Sequence, residues 1–365
     1  MSKAAELANL IGNINMGGGG VNRNVIINGA MNVAQRGTSH TGLGGSTGAV
    51  YTLDRFCTFD SATAGRATIT QDSSAPSGFA NSLKVDCTTA DTSIAAGEIF
   101  LLSQRVEGQN LQAFAKGTSD AKPFTLSFYA KANASKTYVA ELYDIDNNRH
   151  VGKTFTVGTD WARHEITFPA DTTGAFGDDA NRSLDVSIWL HGGSTYTGGT
   201  LGTVWQANDD DDRAAGIGSF FDSTDNTFFI TGWQLEVGQN ATEFEREPFD
   251  VTLNKCHRYF EEIPYASGSY IAIAYAYTSS SIRAVEEYKV KRTTPSFTFA
   301  NQGDLVLFYS GSTSDVPASI SYSDIGVHGC RIAMNLTDVT TTAGYAVAIY
   351  NNGGSTYSVF VDAEL

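Results

Sequence analysis

The sequence predicts an all-β protein: two tandem antiparallel β-sandwich domains, jelly-roll-like, behind a short N-terminal helix. Three observations predict it. From Asn22 onward apolar residues recur at every second position, as in Phe124, Leu126, Phe128 and Ala130, or Leu184, Val186, Ile188 and Leu190. That period gives a sheet one buried face and one wet face. Clusters of Gly, Asn, Asp and Ser cut the chain into short runs, as turns between strands do. Helical periodicity is scarce beyond the first dozen residues, and many short strands with polar turns resolve into sandwiches or jelly rolls. At 365 residues the chain is also too long for one small domain.

The elements follow in order. Ser2 can cap a helix in which Ala4, Leu7, Ala8 and Ile11 share one face, with Gly12 just past its end. About ten residues form no stable helix alone in water. The stripe must therefore pack on its own copies, on an assembly partner or on the following domain. Gly17, Gly18, Gly19 and Gly20 read as a flexible joint, so residues 1–20 form an anchoring helix and joint. Residues 21–250 carry strand-like runs at Val25–Ile27, Val50–Phe56, Ala67–Thr70, Ser82–Cys87, Glu98–Val106, Thr137–Tyr143, Thr154–Val157, His164–Phe168 and Thr227–Leu235. They make up the first sandwich. Val251–Phe260 breaks the rhythm as a short helical or irregular connector. Residues 251–365 hold this connector and a second sandwich of about eight strands, from Tyr270 to Leu365. No short-period repeat supports a β-helix or propeller.

Composition excludes several classes. Lys and Arg number 24 against 39 Asp and Glu, a net charge of −15. That balance disfavours nucleic acid, whose affinity comes from cation clusters, and anionic lipid. No run reaches the ~18 apolar residues of a membrane span, and no basic-then-apolar start reads as a signal peptide. Neither nucleic acid nor membrane insertion is expected. Cys57, Cys87, Cys256 and Cys330 show no CxxC spacing and are too few for a disulfide scaffold. They are expected as buried free thiols in a protein made in a reducing cytoplasm.

No motif assembles a catalytic centre. Gly44-Gly45-Ser46-Thr47-Gly48 fits G-x-S-x-G, but no strand and helix flank it, so it reads as a loop. Asp144-Ile145-Asp146-Asn147-Asn148 opens like a calcium loop, yet Arg149 stands where Gly is required and Phe155 where Glu is required. A hairpin turn is the favoured reading. Asp209-Asp210-Asp211-Asp212 reads as a solvated loop. Both acidic stretches leave room for a structural divalent cation such as calcium; otherwise no cofactor is expected. The six His residues have no second His at metal spacing. A glycosidase would need two carboxylates flanking one bond, and nothing pairs any two.

Ligand candidates come from the wet sheet face. Trp189, His191 and Asp185 alternate with the apolar set of Leu184–Leu190, so they share its outer side. An indole could stack on sugar C–H surfaces while the polar pair bonds hydroxyls. The competing reading is that a loop or a neighbouring subunit covers Trp189. Tyr enrichment in the C-terminal unit adds Tyr345 and Tyr357 as candidates, although ordinary strand usage explains most of it.

Several stretches carry a resemblance. Asn22-Arg23-Asn24-Val25-Ile26-Ile27-Asn28-Gly29-Ala30-Met31, Val33-Ala34-Gln35-Arg36-Gly37-Thr38 and Tyr51-Thr52-Leu53-Asp54-Arg55-Phe56 resemble the opening of tail-fibre and receptor-binding-type virion proteins of tailed bacteriophages, notably marine ones. Trp233-Gln234-Leu235-Glu236-Val237-Gly238 resembles the closing strand of that module, and Leu253-Asn254-Lys255-Cys256 with Arg258-Tyr259-Phe260 resembles its connector. The resemblance covers roughly residues 22–262. It implies a carbohydrate-binding-module-like jelly roll, a homotrimer and a place on the virion, assembled in the host bacterial cytoplasm. Leu7, Leu10 and Ile11 would then attach to a tail or head protein of the particle. The β domains would bind host-surface polysaccharide, with the C-terminal sandwich as receptor-binding tip. The alternatives are a structural fibre or capsid decoration without ligand, and, less favoured, a polysaccharide depolymerase. The resemblance assigns no site residue.

Overall fold

A computed structural model describes residues 3–5, 7, 22–46, 48–300, 302–309, 313–336 and 340–365. Residues 3–5 and 7 are helical, and Leu7 is exposed. Leu10, Ile11 and the glycine joint lie outside the described residues. The chain divides into two units, one running to Leu253 and taking in Leu365, the other Asn254–Glu364.

The strands of the first unit are β1 (Ser39–Leu43), β2 (Gly48–Tyr51), β3 (Phe56–Ser61), β4 (Arg66–Asp72), β5 (Ser82–Thr89), β6 (Ile99–Glu107), β7 (Phe124–Ala132), β8 (Lys136–Asp144), β9 (Arg149–Val157), β10 (Ala162–Phe168), β11 (Arg182–Gly192), β12 (Gln206–Ala207) and β13 (Thr227–Val237). They pair into two sheets, β1-β4-β5-β13-β7-β10 and β12-β9-β8-β11-β6-β3-β2. The pairings are antiparallel. Alternation fixes which face of each sheet is inward. Phe124, Leu126 and Phe128 of β7 and Phe228, Ile230 and Trp233 of β13 enter one core with Leu102, Val186 and Ile188 of the other sheet. Phe56 and Phe128 flank Trp233, with ring centroids 5.3 and 6.2 Å away. Burying each such ring contributes ~1.5–3 kcal/mol.

One expected strand is not a strand, and another is split between two. Val25–Ile27 is irregular because the Asn24 side chain replaces a ladder partner. Its Oδ1 accepts from the N–H groups of Ile26 and Leu235, both at 3.0 Å. Val50–Phe56 is broken by a tight turn in which Phe56 N–H donates to Leu53 carbonyl and Arg55 adopts φ +71°. β13 also carries a bulge, its register with β7 shifting between Thr231 and Gln234. Gly232 sits inside it at φ +64°, and a Cβ there would lie 2.8 Å from the Phe79 ring, so both backbone and space demand glycine.

The second unit contains β14 (Phe260–Tyr265), β15 (Tyr270–Ala276), β16 (Ser281–Glu287), β17 (Ser296–Ala300), β18 (Leu305–Tyr309), β19 (Thr313–Asp315), β20 (Pro317–Ser323), β21 (Gly329–Leu336), β22 (Ala346–Asn351) and β23 (Tyr357–Asp362). Its sheets are β14-β23-β17 and β19-β18-β22-β15-β16-β21-β20. Ile282, Leu307, Ile332, Ile349, Val359 and Val361 fill the core between them. The connector is largely a helix, Phe249–His257. All four cysteines are buried free thiols, and no helix among the described residues is long and apolar enough to cross a membrane.

Candidate functional site

The sequence expected Trp189, His191 and Asp185 on a wet face. The structure buries all three. Trp189 and His191 have no exposure and Asp185 only 9%. The segment between β11 and β13 folds back over this face, and its Tyr196, Leu201, Ala214 and Ile217 pack with Ile99, Leu101, Val139 and Trp189 into a second small core. Every polar group of the trio is consumed internally. Trp189 Nε1 donates to Glu141 Oε2 at 2.7 Å. Arg213 donates to both Glu141 oxygens, at 2.8 and 3.0 Å. Burial alone would raise the Glu141 pKa, but Arg213 and the surrounding donors hold it down at about 2. His191 lies 2.8 Å from Glu98 Oε2 and 2.8 Å from Ser219 Oγ. Arg182 grips both oxygens of Asp185. The covering-loop reading is the correct one for Trp189.

The two tyrosine candidates separate. Tyr345 is half exposed. Tyr357 is a core residue, 2% exposed, stacked 6.1 Å from Tyr265, and burial pushes its phenol up to about 12. It cannot meet a ligand.

The acidic stretches also differ. Asp144 faces a cation supplied by the chain itself. The Lys116 ammonium is fully buried, 2.5 Å from Asp144 Oδ2 and 3.1 Å from Asp171 Oδ2, and donates to the carbonyls of Thr173 and Gly174. In the second stretch Asp209, Asp211 and Asp212 bring carboxylates within 4.8 Å of one another. Asp212 is already taken by Thr200 N–H and Gln206 Nε2. In the G-x-S-x-G loop, Ser46 Oγ donates to Asp60 at 2.8 Å, a structural contact.

Sequence reasoning missed the outer face of the other sheet. Lys84 of β5 pairs with Phe229 of β13, Phe229 pairs with Lys131 of β7, and Trp161 precedes Ala162, which pairs with Ala130. One row thus runs Lys84, Phe229 and Lys131 across three strands and ends at Trp161, just before β10, cation and ring alternating. All four are half-buried. Lys131 Nζ stands 4.6 Å from the Phe229 centroid and 5.3 Å from that of Trp161, and the two rings are 6.1 Å apart at 72°. Lys84 Nζ is 5.6 Å from Phe229 and 2.9 Å from Asp86. In the next row Phe79 caps Tyr129 at 5.4 Å over the Gly232 bulge. Phe244 meets Phe79 at 5.1 Å, with Arg246 lying 4.8 Å above Phe79.

Phe244 and Arg246 also border a small polar cleft, open to solvent, lined by Asn24, Asn28, Asn32 and Glu245. Aromatic platform and polar cleft therefore adjoin. The rings offer apolar surface, the lysines fixed positive charge, and the cleft amides both donors and acceptors. The signal for this face was legible: Tyr129, Lys131 and Phe229 occupy polar-side positions of their strands, where an aromatic has no core to enter.

No protein-family profile and no curated protein matches the chain. Among solved structures it is similar to the enzymatically active domain of tailspike protein 4 of bacteriophage CBA120, at 11% identity and TM-score 0.29 over 59% of this chain. The match spans only 21% of that tailspike domain. It is also similar to the family 11 carbohydrate-binding module from Clostridium thermocellum in complex with a β-1,3-1,4-mixed-linked tetrasaccharide, at 10% identity and TM-score 0.26, covering 56% of this chain and 96% of the module. TmCBM61 in complex with β-1,4-galactotriose matches at 11% identity and TM-score 0.26, covering 50% and 88%. These are distant likenesses and assign no residue.

Proposed function

We propose that this protein is a non-enzymatic virion fibre protein of a tailed bacteriophage that binds host-surface polysaccharide. The observation that carries the reading is the aromatic row Phe229 and Trp161 on the outer face of the first unit, half-buried where a sheet would carry polar residues. Rings on a rigid sheet can stack on the C–H face of a sugar at little entropic cost. Each contact is weak, since ~1 mM corresponds to about −4 kcal/mol. Display of several copies raises effective affinity by ~10²–10⁴ without new contacts.

Assembly as a homotrimer would supply those copies. The second unit offers a surface for it. Ile273 is 86% exposed in β15, the central strand of the seven-stranded sheet, beside exposed Tyr270 and Tyr275 and, on β16, Val285. Seven strands at ~4.8 Å spacing and some six residues at ~3.3 Å give a face of about 600 Å². That approaches the ~800 Å² per partner of a stable interface, so a second copy is its occupant. The N-terminal segment with Leu7, Leu10 and Ile11 would dock to a tail or head protein, placing the chain on the virion after assembly in the host cytoplasm.

A glycan array probed with the assembled protein tests the central reading. Binding that falls about tenfold in Trp161→Ala, a loss of ~1.4 kcal/mol, is the expected result. Absence of binding to any glycan by folded oligomers would leave a purely structural fibre, and new reducing ends from host polysaccharide would make it a depolymerase.

A further inference from the structure

We propose that the glycan taken by the first unit is acidic, with a sugar carboxylate set against Lys131 and sugar C–H faces on Phe229 and Trp161. This rests on the polysaccharide reading above and names the class of saccharide. The two ammonium-bearing residues stand in one row, two strands apart, hence about 10 Å, with a ring between them and another beyond. A row of alternating charge and ring matches a repeating polymer better than a single anion.

Charge sharpens the argument. The chain carries a net charge of −15, so an uncompensated cation on its surface is unusual. Asp86 accompanies Lys84 at 2.9 Å. Lys131 has no carboxylate within ion-pair distance among the described residues; its Nζ donates to Ser74 Oγ at 2.8 Å. Phe229 and Trp161 orient that ammonium through their ring faces, an attraction that positions the charge without neutralising it. A sugar hydroxyl could accept from it, yet only an anion pairs the charge, and charge-assisted hydrogen bonds are about twice as strong as neutral ones.

The test uses the full-length assembly and immobilised polygalacturonate, alginate and hyaluronate, each beside its carboxyl-methyl-esterified form. The expected result is binding to at least one acidic form, weakened tenfold or more by esterification and by added salt. Lys131→Gln should reproduce the loss, Lys131→Arg should restore it, and Trp161→Ala should weaken binding to both forms. Circular dichroism and melting confirm that each variant is folded. Equal binding to free and esterified polymers overturns the acidic class and leaves glycan binding standing. So does failure on all three acidic polymers by a protein that binds neutral glycans on the array. Failure on every glycan overturns both readings.

Discussion

The ammonium of Lys116 lies 2.5 Å from Asp144 Oδ2 with both side chains fully buried. Asp144 is the residue that opens the calcium-like stretch of the sequence, and a tethered cation fills the place of a free one. Asp171, the second carboxylate, is held below its usual range: burial would raise it, but Arg149, Thr173 N–H and Lys116 overcome that. Phe176 and Trp205 close the site, 5.2 and 5.1 Å from the ammonium.

Removing the lysine should therefore be costly. Lys116→Ala strands the buried Asp144 carboxylate, while Asp171 keeps its bidentate Arg149, and breaking a buried pair costs ~3–5 kcal/mol. For a unit of this size that is a fall of about 10 °C in the melting of the first unit. Calcium should recover part of the loss in Lys116→Ala, because two carboxylates and two carbonyls remain around the hole. It should do nothing at this place in the wild type. Differential scanning calorimetry with calcium and with chelator checks both; an equal calcium shift in both proteins would refute the substitution of lysine for metal.

Trp189 and Trp161 should behave oppositely. Trp189→Phe keeps the ring but removes the N–H that Glu141 accepts, costing ~1.5–3 kcal/mol as a hydrogen bond to a charged group. Glycan binding should be unchanged. Trp161→Ala should lose binding with little effect on melting. Reversal of the two would return the ligand site to the face that the sequence first suggested.

That contrast also marks how far the sequence could be read. The all-β class and most strand positions follow from alternation alone, since Phe124 to Ala130 and Leu184 to Leu190 have only one way to bury their apolar side. Alternation tells which residues leave the core; it does not tell what covers them. Trp189 and Phe229 both point outward from their sheets, and only the long fold-back carrying Ala214 and Tyr196 distinguishes them. Such a cover is set by contacts far apart in sequence, as is the pairing of Lys116 with Asp144. The Val25–Ile27 reading fails for a local reason: Asn24 replaces the ladder with its own side chain.

Glu286 gives the second unit a pH dependence of defined sign. Burial raises its pKa, the Tyr265 hydroxyl bond at 2.7 Å lowers it, and Glu261 raises it again; the net shift is upward. A raised folded pKa favours the protonated form in the native state. Its stabilising contribution is complete below the unfolded value of ~4.3 and is lost as pH rises through the folded value. Glu141 has the opposite sign: held at about 2 when folded, it contributes above ~4.3 and loses its contribution as pH falls toward ~2. Glu286→Gln should flatten the gain in melting temperature of the second unit on mild acidification, measured against wild type by calorimetry. An unchanged pH slope would show that Glu286 does not titrate in that window.

The last expectation concerns Ile273. A side chain 86% exposed at the centre of a seven-stranded sheet costs a lone subunit solubility and is retained where another surface covers it. A single Arg at this position would bury an unpaired charge in that contact, at a cost of several kcal/mol. Ile273→Arg should therefore shift the assembled protein to monomer in analytical ultracentrifugation. Its second unit should melt as before, because the side chain makes no core contact to lose. A wild-type protein that sediments as a monomer at all concentrations would end the assembly reading, and an Ile273→Arg variant that sediments as an unchanged oligomer would move the interface to another face.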